Sequence, residues 1–103
     1  MIPLLDAHRA DIAALCRRFH VRRLDLFGSA ARGDDFDPAR SDVDLLVTYD
    51  PDVPRPSLAE HFALRDALAG LLGRPVDLVI VGAVRNPFVQ ADIERSRELL
   101  YAT

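Results

Sequence analysis

The 103-residue sequence contains no lysine; its 13 Lys+Arg side chains are all arginine. A Schiff-base lysine, a lysine–nucleotide intermediate and a P-loop lysine are therefore excluded. Cysteine occurs once, at Cys16, so no internal disulfide or multi-cysteine zinc site can form. A reducing cytoplasm is the expected location. No stretch approaches the roughly 18 apolar residues of a membrane span. The N-terminal run MIPLLDAHRAD meets its first acid at Asp6, and no basic region precedes a continuous apolar one, so no signal peptide is expected. Net positive charge is also lacking: the formal charge is −3, which argues against a general nucleic-acid binder needing a basic face. His8, His20 and His61 show no ligand spacing and are read as surface or helix-end residues.

Half of the chain is hydrophobic, enough for one domain over 1–103 with a modest core. Leu5, Ile12, Leu15, Cys16 and Phe19 recur at helical spacing and predict an amphipathic helix over 4–20. Arg22 to Phe27 alternates with period two and predicts a strand. Gly28 ends that strand, Ser29 can cap a helical turn through Ala30–Arg32, and Gly33 can stop the turn. Residues 34–41, DDFDPARS, read as a polar loop. The acids Asp34, Asp35 and Asp37 do not make a calcium loop of the EF-hand type, because Pro38 is present and the required glycine is not.

Val43 to Tyr49 predicts a second strand, apolar and β-branched. Ser57-Leu-Ala-Glu60 is a capping-box signature opening a helix to about Leu72, with Gly73 as its stop. Pro75 to Val81 predicts a third strand, and Asn86-Pro87 opens a last helix near 87–98. The expected order is α-β-α-β-α-β-α, an α/β (α+β) fold with a small mixed three-stranded sheet. If strands two and three are neighbours, the helix joining them implies a parallel pair with a right-handed crossover. The shorter excursion between strands one and two also permits an antiparallel pair.

Three features sit at strand ends. Gly28-Ser29-x-x-Arg32-Gly33 combines a glycine that lets backbone approach a ligand, a hydroxyl at the start of a helical turn, and a cation three residues on. That suits a phosphate, although an ordinary strand–turn–helix junction has the same appearance. Asp42-Val43-Asp44 places two carboxylates on one face of a strand, where they repel unless a cation lies between them. Mg²⁺ takes one or two carboxylates plus water and phosphate oxygens; two solvated acids at a strand start are the alternative. Asp77 interrupts the apolar strand PVDLVIV, where an unpartnered acid is costly to bury; an exposed edge position is the alternative. With strands two and three parallel and strand one antiparallel to strand two, all three features meet at one sheet edge.

The run LFGSAARGDDFDPARSDVDLLV, with the later strand PVDLVIV and the tail PFVQADIERSRELLYA, resembles the minimal nucleotidyltransferases of the DNA polymerase β-like superfamily. The resemblance spans about residues 5–101, with the tail similar to that family's closing helix. The linker Ala30–Ser41 is somewhat longer than is usual in the family. The resemblance implies that Gly28 and Ser29 hold a nucleoside triphosphate such as ATP, with Arg32 assisting. It implies that Asp42 and Asp44 bind magnesium shared with the phosphates. Asp77 would ligate a second Mg²⁺ and help deprotonate an attacking hydroxyl, as in two-metal catalysis.

Small members of that family commonly act as antitoxins of HEPN-type ribonuclease toxins, transferring AMP to a tyrosine of the toxin. The resemblance therefore implies a hetero-oligomer with a HEPN-type protein. Seven short elements leave little chain to enclose an acceptor pocket, which needs walls on several sides, so a partner surface is expected to complete the site. Two alternatives stand beside this one: a nucleotidyltransferase acting on an aminoglycoside-type small molecule, and an antitoxin that inhibits by binding alone.

Overall fold

The computed structural model describes residues 3–32 and 42–103. In chain order the elements are α1 (Pro3–Ala7), α2 (Arg9–Arg18), β1 (Val21–Phe27), α3 (Ser29–Arg32), β2 (Val43–Tyr49), α4 (Leu58–Leu72), β3 (Val76–Ile80), α5 (Pro87–Ser96) and β4 (Glu98–Ala102). The sheet order is β3-β2-β1-β4. β1 runs antiparallel to both β2 and β4, and β2 runs parallel to β3, so the sheet is mixed, as expected.

Period-two alternation sorts the strand side chains into two faces. Leu24, Leu26, Val43, Leu45, Val47, Val76 and Leu78 point to one side, where Ile12 and Cys16 of α2 and Leu64, Leu68 and Leu72 of α4 cover them. Phe27 and Leu46 point to the other side and pack on Ile93 of α5. Burying each such side chain contributes about 1.5–3 kcal/mol, which fixes the register: a one-residue slip would send the whole apolar set to the wrong face.

Helix α4 begins as its capping box predicts. The Ser57 hydroxyl accepts from the Glu60 amide at 3.1 Å, and the Glu60 carboxylate accepts from the Ser57 amide at 3.0 Å. Gly73 ends the helix in the left-handed conformation, φ 66°. At α5 the Asn86 side chain accepts from the Phe88 amide at 2.9 Å, with Pro87 in the first turn.

Four expectations are corrected. The helix expected over 4–20 is two helices: His8 leaves helical geometry at φ −111°, ψ 13°, and its amide bonds the Leu5 carbonyl in a tightened turn. The sheet has four strands, because ELLYA adds β4 to the free edge of β1. The closing helix therefore stops at Ser96 instead of running on. Arg97 turns extended at φ −54°, ψ 127°, and its guanidinium pairs at 3.0 Å with Asp25 of β1, a wholly buried carboxylate that also pairs with Arg23 at 2.9 Å. A short apolar run reads equally well as helix or strand; here the ion pair and the open edge of β1 favour strand.

The fourth correction is His61. It is neither superficial nor at a helix end but buried inside α4. One ring nitrogen lies 3.1 Å from the Leu78 carbonyl. That carbonyl can only accept, so Nε2 carries a proton; in the neutral ring Nδ1 then accepts from the Tyr49 hydroxyl, 2.8 Å away. His20, by contrast, follows the end of α2 with φ 59°. The expected stop at Gly33 and the loop 34–41 lie outside the described residues. Among the described residues no helix is long and apolar enough to cross a membrane.

Candidate active site

Two strand pairings assemble the site. In the antiparallel pair Phe27 stands opposite Asp44, and in the parallel pair Asp44 stands opposite Asp77. Gly28, one residue past Phe27, consequently meets Asp44 across the strand boundary. A Cβ built on Gly28 would collide with Asp44 Oδ2, and the residue has φ +73°. Both the contact and the backbone angle require glycine.

Asp42 and Asp77 are exposed, while Asp44 is partly buried. The Asp44 carboxyl is pushed up to about 6, mainly by burial and then by the negative charges of Asp77, Asp42 and Asp92; Arg32 opposes the shift. A partly buried carboxylate facing three other acids is a surplus of negative charge made only of hard oxygen donors. Among the described residues no group of three His, Cys, Asp or Glu side chains is placed to hold a metal ion by itself. Carboxylate oxygens are nonetheless the donor type magnesium takes, one or two at a time, with water and substrate phosphate filling the rest of its shell.

Ser29 opens α3, and the Ala31 and Arg32 amides bond the Gly28 carbonyl at 3.1 Å. The Ser29 and Ala30 amides, first in the turn, have no carbonyl of their own helix to reach. They and the Ser29 hydroxyl are the donors able to meet a phosphate. The Gly28 amide is engaged elsewhere: it donates to Ser96 Oγ of α5 at 3.0 Å. A cavity of about 430 Å³ lies at the opposite, C-terminal end of β2 and β3, lined by Tyr49, Arg55, Ser57, His61, Ile80 and Gly82. No acid is among its lining residues, whereas Asp42, Asp44 and Asp77 stand at the start of β2 and β3.

A family model described as the nucleotidyltransferase domain matches residues 12–100. The chain belongs to the nucleotidyltransferase domain family. It is 38% identical over 96 residues to a Methanocaldococcus jannaschii chain whose name proposes a protein adenylyltransferase, covering 93% of this chain and 91% of that one. It is 34% identical over 98 residues to the protein adenylyltransferase MntA of Thermococcus cleftensis, covering 95% and 88%. The solved structure of a candidate minimal nucleotidyltransferase superposes with TM-score 0.71 at 35% identity, covering 91% and 90%. The fold also matches that of a toxin–antitoxin structure holding AMP-PNP, with TM-score 0.70 at 24% identity, covering 92% and 73%. A Shewanella oneidensis complex of a tri-AMPylated HEPN toxin with its MNT antitoxin shares the fold at TM-score 0.67 and 21% identity, covering 96% and 73%. This chain is a nucleotidyltransferase enzyme.

In this nucleotidyltransferase all six residues singled out in the sequence are described, and five lie at or beside the β2 start: Gly28, Ser29, Asp42, Asp44 and Asp77. Arg32, the sixth, sits at the end of α3 and pairs with Asp92 of α5 at 2.9 Å. Two neighbours escaped the sequence reading, Asp92 and Ser96. Both come from α5, whose sequence gives an ordinary amphipathic pattern; their spacing of four on one helix face was the available signal.

Proposed function

We propose that the chain transfers AMP from ATP to a hydroxyl, a tyrosine in our reading, of a partner HEPN-type toxin, and that it acts as the antitoxin of that pair in the cytoplasm. The observation that carries this reading is the register Phe27–Asp44–Asp77, which sets the glycine–serine turn beside a row of carboxylates. The names of the relatives, protein adenylyltransferases, support a protein acceptor over an aminoglycoside-type one. The HEPN–MNT complexes of the same fold support the partner and a hetero-oligomer.

Asp42, Asp44 and Asp77 would hold magnesium, two ions in our reading, supplying charge stabilisation to the attacking and leaving oxygens. The Ser29 hydroxyl and the first amides of α3 bind phosphate oxygens, as helix starts do. Arg32 adds a charge-assisted contact. Asp77, exposed beside Asp44, accepts the proton of the attacking hydroxyl. The hydroxyl oxygen bonds to the α-phosphorus, the bond to the bridging oxygen breaks, and pyrophosphate leaves. Partner surface holds the hydroxyl in line, where the proximity advantage arises.

The test is intact-mass analysis of a co-expressed HEPN protein incubated with this chain, ATP and Mg²⁺. A gain of one adenylate mass or a multiple is expected, lost on Asp77→Asn. Modification of an aminoglycoside with no mass change on the protein partner would establish the small-molecule alternative instead. Toxin inhibition that survives Asp42→Asn and Asp44→Asn would establish inhibition by binding alone.

A further inference from the structure

Arg32 and Asp92 are 60 residues apart in sequence, yet Arg32 Nη1 lies 2.9 Å from Asp92 Oδ1, with both side chains 36% exposed. Arg32 closes the helical turn that Ser29 opens. Asp92 faces it from α5, held at the site by the next turn of the same helix: Ser96 Oγ donates to the Asp92 carbonyl at 2.7 Å and accepts from the Gly28 amide. Arg95 also approaches Asp92, at 3.8 Å.

We propose that Asp92 is a positioning residue of the nucleotide site: its carboxylate holds the Arg32 guanidinium beside the Ser29 turn, and an incoming triphosphate takes Arg32 over from it. The inference rests on the reading of Ser29 and Arg32 as triphosphate contacts. A partly exposed ion pair is weak, so it orients Arg32 without locking it. A triphosphate offers several negative charges and bidentate geometry to a guanidinium, and outcompetes one carboxylate. Asp92 therefore sets a threshold: it lowers affinity for phosphate ligands in general while keeping Arg32 in place for the one that also engages Ser29.

The experiment is titration calorimetry of the full chain with ATP, with and without Mg²⁺, on wild type, Ser29→Ala, Asp92→Asn, Asp92→Glu, Arg32→Gln and the Asp92→Asn/Arg32→Gln double variant. Asp92→Asn is expected to tighten ATP binding about two- to fivefold, the range into which an exposed pair's strength converts. Asp92→Glu is expected to return the affinity towards wild type. In the Arg32→Gln background most of the gain disappears, because the gain passes through Arg32. Unchanged or weaker binding by Asp92→Asn, while wild type binds and Ser29→Ala loses affinity, overturns this inference alone. So does a full gain in the double variant, which marks simple long-range repulsion. Absence of ATP binding by wild type overturns the parent reading and this inference with it. Melting curves of each variant identify any that fail to fold, and for such a variant Asp92→Ser replaces Asp92→Asn in the same cycle.

Discussion

The hydroxyl of Ser96 accepts the amide proton of Gly28 at 3.0 Å across 68 residues of sequence. Gly28 is buried and Ser96 half-buried, so water is a poor substitute for this partner. The last turn of α5 thereby fastens the turn on which the triphosphate reading depends. Removing the acceptor leaves a buried donor unsatisfied, at a cost of about 1–3 kcal/mol. Ser96→Ala is expected to lower stability by that amount in urea titration and to remove the slow exchange of the Gly28 amide by NMR. Full protection of that amide in the variant would show that something other than Ser96 satisfies it.

Gly28→Ala tests the close approach to Asp44. The new methyl meets Asp44 Oδ2, at a backbone φ of +73° that alanine resists. Left-handed backbone alone costs about 1–2 kcal/mol for a residue with a Cβ, and the displaced carboxylate adds to it. Transfer is expected to fall by more than tenfold while the chain still folds. An alanine variant with wild-type turnover would mean that Asp44 need not stand where it does.

Asp44→Asn is expected to stabilise the metal-free chain while abolishing transfer. The carboxyl is raised from 3.8 to about 6 in the fold. The folded state therefore holds its proton longer than the unfolded state. Its stabilising contribution is complete below pH 3.8 and is lost as pH rises through 6. Each unit corresponds to about 1.4 kcal/mol, and partial solvent screening reduces it. A gain of about 1–2 kcal/mol over wild type is expected at pH 7.5, and almost none near pH 3.5. Equal stability of the two proteins at both pH values would deny that burial and the neighbouring acids raise this carboxyl.

Cys16 supplies a test at the other end of the scale. Burial pushes its thiol up to about 12 from 9.0, against the opposing charge of Arg17. Burial and then the charge of Glu60 also push the Tyr49 phenol up to about 12. Both groups keep their protons in the fold after the unfolded chain has released them, so stability falls as pH rises from about 9 towards 12. Cys16→Ala is expected to flatten part of that decline in chemical denaturation series. Native protein should resist thiol alkylation at pH 8 and react promptly in denaturant; rapid alkylation without denaturant would contradict the buried placement.

Much of this molecule is legible locally. The alternation of Val43–Tyr49, the Ser57–Glu60 capping box and the Asn86-Pro87 helix start each act within one turn or one strand, and each has the predicted form. Connection length made a parallel β2–β3 pair the expectation if the two are neighbours and left an antiparallel β1–β2 pair open; the structure decided both. His61 was not, since its burial depends on Tyr49 from β2 and Leu78 from β3. Asp25 gave no sign of being wholly buried, because one of the two arginines that balance its charge, Arg97, comes from the far end of the chain.

The sequence by itself determined which chemistry is available: arginine as the only strong base, oxygen donors in an Asp-x-Asp pair, and a glycine–serine turn at a strand end. Those are properties of residue type and short spacing, and they survive in any drawing of the chain. Only the tertiary structure decided that Asp77 stands in register with Asp44, that ELLYA pairs with β1 instead of extending a helix, and that α5 brings Asp92 and Ser96 to the site. The physical reason is the range of the interactions. Caps and alternation are settled by neighbours in sequence, whereas strand register, edge pairing and buried ion pairs are settled by whichever distant group best satisfies a donor, an acceptor or a charge removed from water.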